Sequence, residues 1–446
     1  MNSIFLAIVC LAFGVAGVRE IAAGPDDPRI MSALAKAIIE DAGGAVMLAI
    51  GLIGVMTLFL GLMKVAEAGG LLSIVARLLR PLMQRLFPQV PTDHPAMGAM
   101  ILNMSANVLG LGNAATPFGI RAMQHLHSLN PAKRTASDAL VLFLAINTSS
   151  ITLLPTGVIA LRAAAGSADP AGILPTTLFA TFCSTAAAIV LAKALPRLWP
   201  MPAGEPASPD ASRSPLPPAS SPEAEEAIAL TPVSAPLDDE TLTAGGGYPA
   251  WASALALLSI VLLIPLTILR GREIAPWIIP GLVVGLLGFG AVRRVRVYEA
   301  FVEGARDGFQ VAVRIIPYLV AILVGVGMLR ASGALDLLIP PIGAVTAQLG
   351  LPAEALLMGM LRALSGSGAF AYLASLLNDP AIGPDSYTGY LVSTIQGSTE
   401  TTFYVLTVYF GAVGVDRMRH AVVVGLAADA VGVLASVFIC GMLFEG

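Results

Sequence analysis

The chain has 446 residues, of which 56% are hydrophobic and only 12% charged, with a formal net charge of -4 and a mean hydropathy of +0.81. A water-soluble domain carries roughly 25% charged residues, so this composition excludes a soluble enzyme or binding domain and indicates an integral membrane protein. The small, dispersed charge argues against nucleic acid as a partner. Cys10, Cys183 and Cys440 lie far apart in apolar runs, so no metal site, disulfide framework or cofactor is expected.

Crossing a bilayer takes roughly 17–25 apolar residues as a helix. In chain order such runs occupy 2–18, 43–64, 138–163, 173–196, 250–270, 275–292, 308–330, 388–412 and 420–443. The first lacks a basic leader and a small-residue cleavage site and reads as a retained span. Two more apolar runs, 96–128 and 354–378, are rich in Gly, Ser and Asn and read as re-entrant hairpins. Segments 68–86 and 335–350 read as amphipathic, the first with Arg77, Arg80 and Arg85 on its polar side. Residues 201–248 hold nine prolines, eight acidic residues and one arginine. Such a stretch cannot bury enough surface to offset its ordering entropy. The chain therefore divides into a membrane half at 1–199, a disordered linker at 200–248 and a second membrane half at 249–446.

The halves are weak repeats in one block order. GLMKVAEAGGL (61–71) reads against GMLRASGAL (327–335), MGAMILN (97–103) against MGMLR (358–362), and INTSSITLLP (146–155) against IQGSTETTFY (395–404). Charge placement inverts them. Arg77, Arg80, Arg85, Lys133, Arg134, Lys193 and Arg197 fall on one side of the first half, where the equivalent loops of the second hold Asp379, Asp385 and Glu445. Conversely, Arg293, Arg294 and Arg296 precede the 308–330 span, whereas Glu40 and Asp41 precede its counterpart. The positive-inside rule puts the N-terminus and linker in the cytoplasm and the C-terminus outside, with Arg270 and Arg272 against the trend. Inverted repeats with helices broken at the midplane are the architecture of secondary transporters. The expected fold is thus an all-α integral membrane protein of two inverted-topology repeats with re-entrant hairpins and broken helices.

Polar groups inside a span are costly unless satisfied, and they mark functional sites. Four polar stretches are expected to line the centre. In the first, Asn103, Asn107, Asn113 and Thr116 flank Gly110, Gly112 and Pro117, residues that open a helix; asparagines gluing close-packed helices are the alternative. In the second, Asn147, Thr148, Ser149 and Ser150 precede Pro155, and the hydroxyls either face a discontinuity or bond back to their own helix. The third joins Arg362, whose guanidinium needs a carboxylate, carbonyls or an anion, to Ser365 and Ser367 at a flexible tip. The fourth is Gln396, Ser398, Thr399, Glu400 and Thr401. Its carboxylate can pair with Arg362, bind a cation, carry a proton or accept hydrogen bonds from a nucleoside-like solute. Asp429 on the last span is a buried carboxylate suited to helix packing or a relay. No nucleophile–base–acid set is visible, so no enzyme is expected.

The first-half motifs GLMKVAEAGGL (61–71), GLGNAATPFGIRAM (110–123) and FLAINTSSITLLPTGVIALRAAAGS (143–167) resemble the spore maturation protein A family. RIIPYLVAILVGVGMLRASGALD (314–336), LRALSGSGAF (361–370) and STIQGSTETTFYVLTVYFG (393–411) resemble spore maturation protein B. The resemblance covers essentially everything outside the linker and implies a natural fusion of the two. It implies nucleoside recognition or Gate domains, with Gate-type repeats at about 43–163 and 308–412, related to concentrative nucleoside transporters and to the gates of the bacterial ferrous iron transporter. The nucleoside transporters' hairpins carry a GQTEAP-like motif. Here GNAATP (112–117) has the break without the carboxylate, and QGSTE (396–400) the carboxylate without the proline.

The expectation is a transporter or channel in the bacterial inner membrane for a small polar or ionic solute, with Glu400 at a central site and room for a coupling ion and a homodimer. A membrane scaffold for envelope or spore-maturation machinery, docking through the linker, is the alternative.

Overall fold

The computed structural model describes residues 2–23, 29–110, 112–149, 151–200, 248–314, 316–334, 337, 346 and 350–444. The expected linker and most of the 335–350 segment lie outside them. Among the described residues the chain is helical, with one isolated β-bridge between Thr135 and Arg417. Five of these helices are long and apolar enough to cross a membrane: Phe5–Ala22, Ile30–Ala68, Leu174–Arg197, Val297–Ala331 and Ala421–Phe444. This is a multi-pass membrane protein.

The first half comprises α1 (Asn2–Ala22), α2 (Ile30–Ala68), α3 (Leu71–Leu86), α4 (Pro95–Val108), α5 (Gly112–Ser128), α6 (Asp138–Thr148), α7 (Thr156–Ala164) and α8 (Leu174–Ala194). The second comprises α9 (Ala250–Val292), α10 (Val297–Arg314), α11 (Ile316–Ala331), α12 (Ala353–Leu364), α13 (Gly366–Leu377), α14 (Tyr387–Ser398), α15 (Thr402–Gly411) and α16 (Ala421–Phe444). The two expected hairpins are α4–α5 and α12–α13. The expected spans 138–163 and 388–412 are the broken pairs α6/α7 and α14/α15. α3 is amphipathic, burying Leu79 and Met83.

Local chemistry explains the interruptions. Both broken helices begin on a serine cap: Ser137 Oγ accepts from Leu140 N–H at 3.3 Å and Ser386 Oγ from Gly389 N–H at 2.9 Å. Pro155 is the residue from which α7 restarts, and with no N–H to offer the 151 carbonyl it keeps the helix from running unbroken through 151–155. The break at 399–401 has no proline, and Thr399 and Thr401 instead adopt extended backbone. β-Branched threonines are weak helix formers, and Arg362 takes the Thr399 carbonyl.

α9 carries 43 helical residues, and a straight helix of that length spans about 64 Å. Yet both of its ends lie against the start of α3: Tyr248 N–H donates to Arg77 O, and Arg293 Nε to Gly69 O. The segment therefore turns back on itself, in keeping with two expected spans at 250–270 and 275–292.

Contacts at the two ends of the broken helices fix their relative direction. At one face, the start of α6 meets the end of α15. Arg134 pairs with Asp416, Arg419 with Asp138 at 2.6 Å, and Ala136 N–H donates to Arg417 O. At the other face, Arg162 on α7 pairs with Asp385, just before α14, at 3.1 Å. α6/α7 and α14/α15 thus run antiparallel, and the repeats are inverted. The hydrophobic core follows the same exchange. One cluster joins α4, α5 and α6 to Val405, Leu406, Tyr409 and Phe410 of α15. The other joins α12, α13 and α14 to Val158–Leu161 of α7 and to α2. Neither repeat buries its apolar surface without the other.

Candidate functional site

The two breaks meet at the centre. Glu400 N–H donates to Thr148 O at 2.7 Å, tying the extended residues of one repeat to the carboxyl end of α6 in the other. Each hairpin tip docks on its own repeat's break. Leu153 N–H donates to Val108 O at 2.9 Å, and Gly110, at φ 73°, passes Leu154 O so closely that a Cβ would collide. On the other side Arg362 donates to Thr399 O and, at 3.4 Å, to Thr401 Oγ1.

The end of α6 leaves carbonyls without intrahelical partners, and side chains supply them. Thr148 Oγ1 and Ser149 Oγ both donate to Ala145 O, while Thr181 and Thr185 of α8 donate to Ser149 O. Thr148 and Ser149 therefore present carbonyls to the other elements and turn their hydroxyls back on α6. Ser398 does the same to Ile395 O, and Ser365 caps α13 by accepting from Gly368 N–H.

Arg362 is buried, with a side chain 9% exposed, and its Nη2 lies 3.4 Å from Glu400 Oε2. The Glu400 side chain is 48% exposed, although it sits where four half-helices end. A half-exposed carboxylate held by a buried guanidinium can accept a solute donor or a cation without first being dragged out of a sealed core.

Around it the amides form a cluster. Asn107 Nδ2 donates to Asn147 Oδ1 at 3.0 Å, and the Tyr409 hydroxyl donates to the same oxygen at 3.4 Å. Asn103 Nδ2 donates to Ala115 O at 2.7 Å across the hairpin and to Tyr409 Oη at 3.3 Å. Gly119 leaves the room that the tyrosine hydroxyl fills. Asn103 Oδ1 finds no partner among the described residues.

On the far side of the α12–α13 tip lies a cavity of about 220 Å³, walled by Met56, Leu319, Tyr318 and Phe370 and edged by Ser367 and Gln396. Gln396 is buried and its Oε1 has no hydrogen-bond partner among the described residues. Thr116 is half-buried on α5. Asn113 lies in the first turn of α5 but its side chain, like all of Ser150, falls outside the described residues.

Two residues escaped the reading of the sequence. Tyr409, which the sequence did not single out, bridges Asn103 and Asn147 from the other repeat. Arg162, inside the 138–163 run and likewise not singled out, is fully buried. It donates to Pro384 O at 2.6 Å and Asp169 O at 3.2 Å, with the Tyr390 ring 4.2 Å from its guanidinium carbon. Asp169, in the loop after α7, is held above the ordinary carboxylate range by burial, against the pull of Arg162. The signal for Arg162 was the complementary acidic loop at 379–385 in the other half.

A nucleoside recognition (Gate) family model matches residues 49–165 and 312–416. Spore maturation protein B of Bacillus subtilis (strain 168) is 44% identical over 176 residues, 39% of this chain and 98% of its own length. Spore maturation protein A of the same organism is 47% identical over 156 residues, 35% of this chain and 80% of its own length. No solved structure matches.

Proposed function

The chain belongs to the nucleoside recognition (Gate) family, with counterparts of spore maturation proteins A and B in one polypeptide, and from that premise we propose that it moves a small polar or ionic solute across the bacterial inner membrane. The observation that carries this reading is Glu400. It is a half-exposed carboxylate at the junction of two antiparallel broken helices, fixed by Arg362 from one hairpin and by Thr148 from the other repeat. Discontinuous helices with freed backbone groups at a repeat interface suit the binding of a polar solute at membrane depth. The adjoining 220 Å³ cavity, with aromatic walls and an unpartnered amide oxygen, favours a solute with a flat apolar body and an N–H donor, as a nucleobase has. The basic face with Lys133, Arg134, Lys193, Arg197, Arg417 and Arg419 is assigned to the cytoplasm.

The test is thermal unfolding of detergent-purified protein against nucleosides, nucleobases, dicarboxylates, dipeptides and divalent cations, repeated on Glu400→Gln. A ligand at 100 times its dissociation constant stabilises by about 2.7 kcal/mol. The expected outcome is a rise in midpoint with one class, lost in Glu400→Gln. A rise that survives in the variant refutes a site on Glu400.

A further inference from the structure

Asp429, on α16, is the second carboxylate at the centre, and the proposed solute site does not use it. It is 8% exposed. Its Oδ2 accepts from Thr402 Oγ1 at 2.7 Å, and its Oδ1 finds no hydrogen-bond partner among the described residues. No cation reaches it at ion-pair distance among those residues. Thr402 heads α15 two residues after Glu400, so the hydroxyl that holds Asp429 belongs to the same short stretch as the central acid.

The charged surroundings are sparse. Of the helices packed on α16, α6 brings only Asp138, and α8 brings Lys193 and the thiol of Cys183, next to Ser184, which donates to Ala428 O. Asp138 pairs with Arg419 beside the start of α16, and Lys193 adjoins that same end. Asp429 lies about 13 Å further along the helix axis. α14 and α15 carry no charged residue, their ionisable groups being Tyr387, Tyr390, Tyr404 and Tyr409. On α16 itself the other ionisable group at membrane depth is Cys440. α12 brings Glu354, about 12 Å along its axis from Arg362, and Arg362 itself, whose guanidinium holds the Thr399 carbonyl and the Thr401 hydroxyl on the stretch that packs against Gly432, one turn of α16 from Asp429. Arg362 in turn is held by Glu400.

We propose that Asp429 is a proton-binding site governed by the Arg362–Glu400 pair. The proposal deepens the reading of Glu400 as the central charge and rests on it. An ionised carboxylate with one hydrogen bond and no ion pair is strongly disfavoured in such a place. With Glu400 charged, Arg362 is neutralised and Asp429 keeps its proton. The three groups then sum to zero charge. When a cationic group neutralises Glu400, Arg362 is left uncompensated. The Asp429 O–H bond breaks, the proton passes to water on the Glu400 side, and the guanidinium pairs with the new carboxylate. The sum is again zero once the bound cation is counted. Entry of a cation, alone or as part of the solute, at Glu400 would thus be exchanged for a proton.

The test needs no solute. Infrared spectra of the full chain in lipid nanodiscs, recorded as a function of pH, report the carbonyl stretch of a protonated carboxyl, and Asp429→Asn assigns it. At the pH of half-protonation in the wild type, Glu400→Gln should lose roughly five-fold of that band, the effect of one uncompensated neighbouring charge. Arg362→Gln should gain it. Because Glu400 is half-exposed, its amide variant is expected to fold even where the Arg362 variant does not. The absence of a titrating band that Asp429→Asn removes overturns the proposal, as does a band that Glu400→Gln leaves unchanged. Both outcomes can be told apart from failure of the solute reading, which is scored by ligand-dependent unfolding.

Discussion

Replacing Arg162 by methionine, similar in length but uncharged, removes the main polar tie between the repeats on the Asp385 face. The buried guanidinium donates to Pro384 O, Asp169 O, Ser167 Oγ, Ser393 Oγ and Asp385 Oδ1 at 2.6 to 3.4 Å. Methionine leaves the Pro384 carbonyl without a donor, whereas Asp169 O keeps the Gly172 N–H, and an unsatisfied buried acceptor costs about 1–3 kcal/mol. Removing a desolvated charge and packing an apolar side chain in its place return part of this loss. Asp385 is 38% exposed, so it rehydrates once freed and adds little. The net loss should be about 1–2 kcal/mol of stability. Asp385→Asn, which leaves Arg162 its carbonyls, should lose less. The double variant should show a coupling of about 1–2 kcal/mol, as expected for groups in one network. Thermal unfolding of the full chain in detergent measures all three. A midpoint unchanged in Arg162→Met, or strict additivity of the two substitutions, would refute the buried-clamp argument.

Two further outcomes probe other parts of the fold. Gly119→Ala places a methyl where the Tyr409 hydroxyl and Asn103 Nδ2 now sit, and overpacking of this kind costs about 1–3 kcal/mol. The unfolding midpoint should fall, and Tyr409→Phe should restore part of the loss by clearing the hydroxyl; no recovery would place the strain elsewhere. In a chain freed of Cys10, Cys183 and Cys440, a cysteine at 385 and one at 416 should react with a membrane-impermeant maleimide from opposite sides of the membrane. Labelling of both from the same side contradicts the antiparallel arrangement of α14/α15 and α6/α7.

The sequence by itself carried the membrane class, the two hairpins and the inverted repeats. Apolar length and Gly, Ser and Pro interruptions are properties of single segments, so α4–α5 and α12–α13 could be placed within a residue or two of 96–128 and 354–378. The side on which arginines gather is equally local, and it betrayed the inversion before any contact was known. Glu400 beside Arg362 stood out because each is a rare charge in an apolar run. The partners of those groups were decided only by the tertiary structure. Nothing near Asn103 points to Tyr409, and nothing near Arg162 points to the Pro384 carbonyl. For Thr148 and Ser149 the sequence left two readings open, and the structure takes the second: the hydroxyls bond back to Ala145 O, and the backbone oxygens meet Glu400 and the α8 threonines. Hydrophobic burial is non-directional and accumulates along a segment, so it leaves a pattern in the chain. A hydrogen bond depends on distance and angle between two atoms, and here those atoms come together only because each core is built from parts of both repeats.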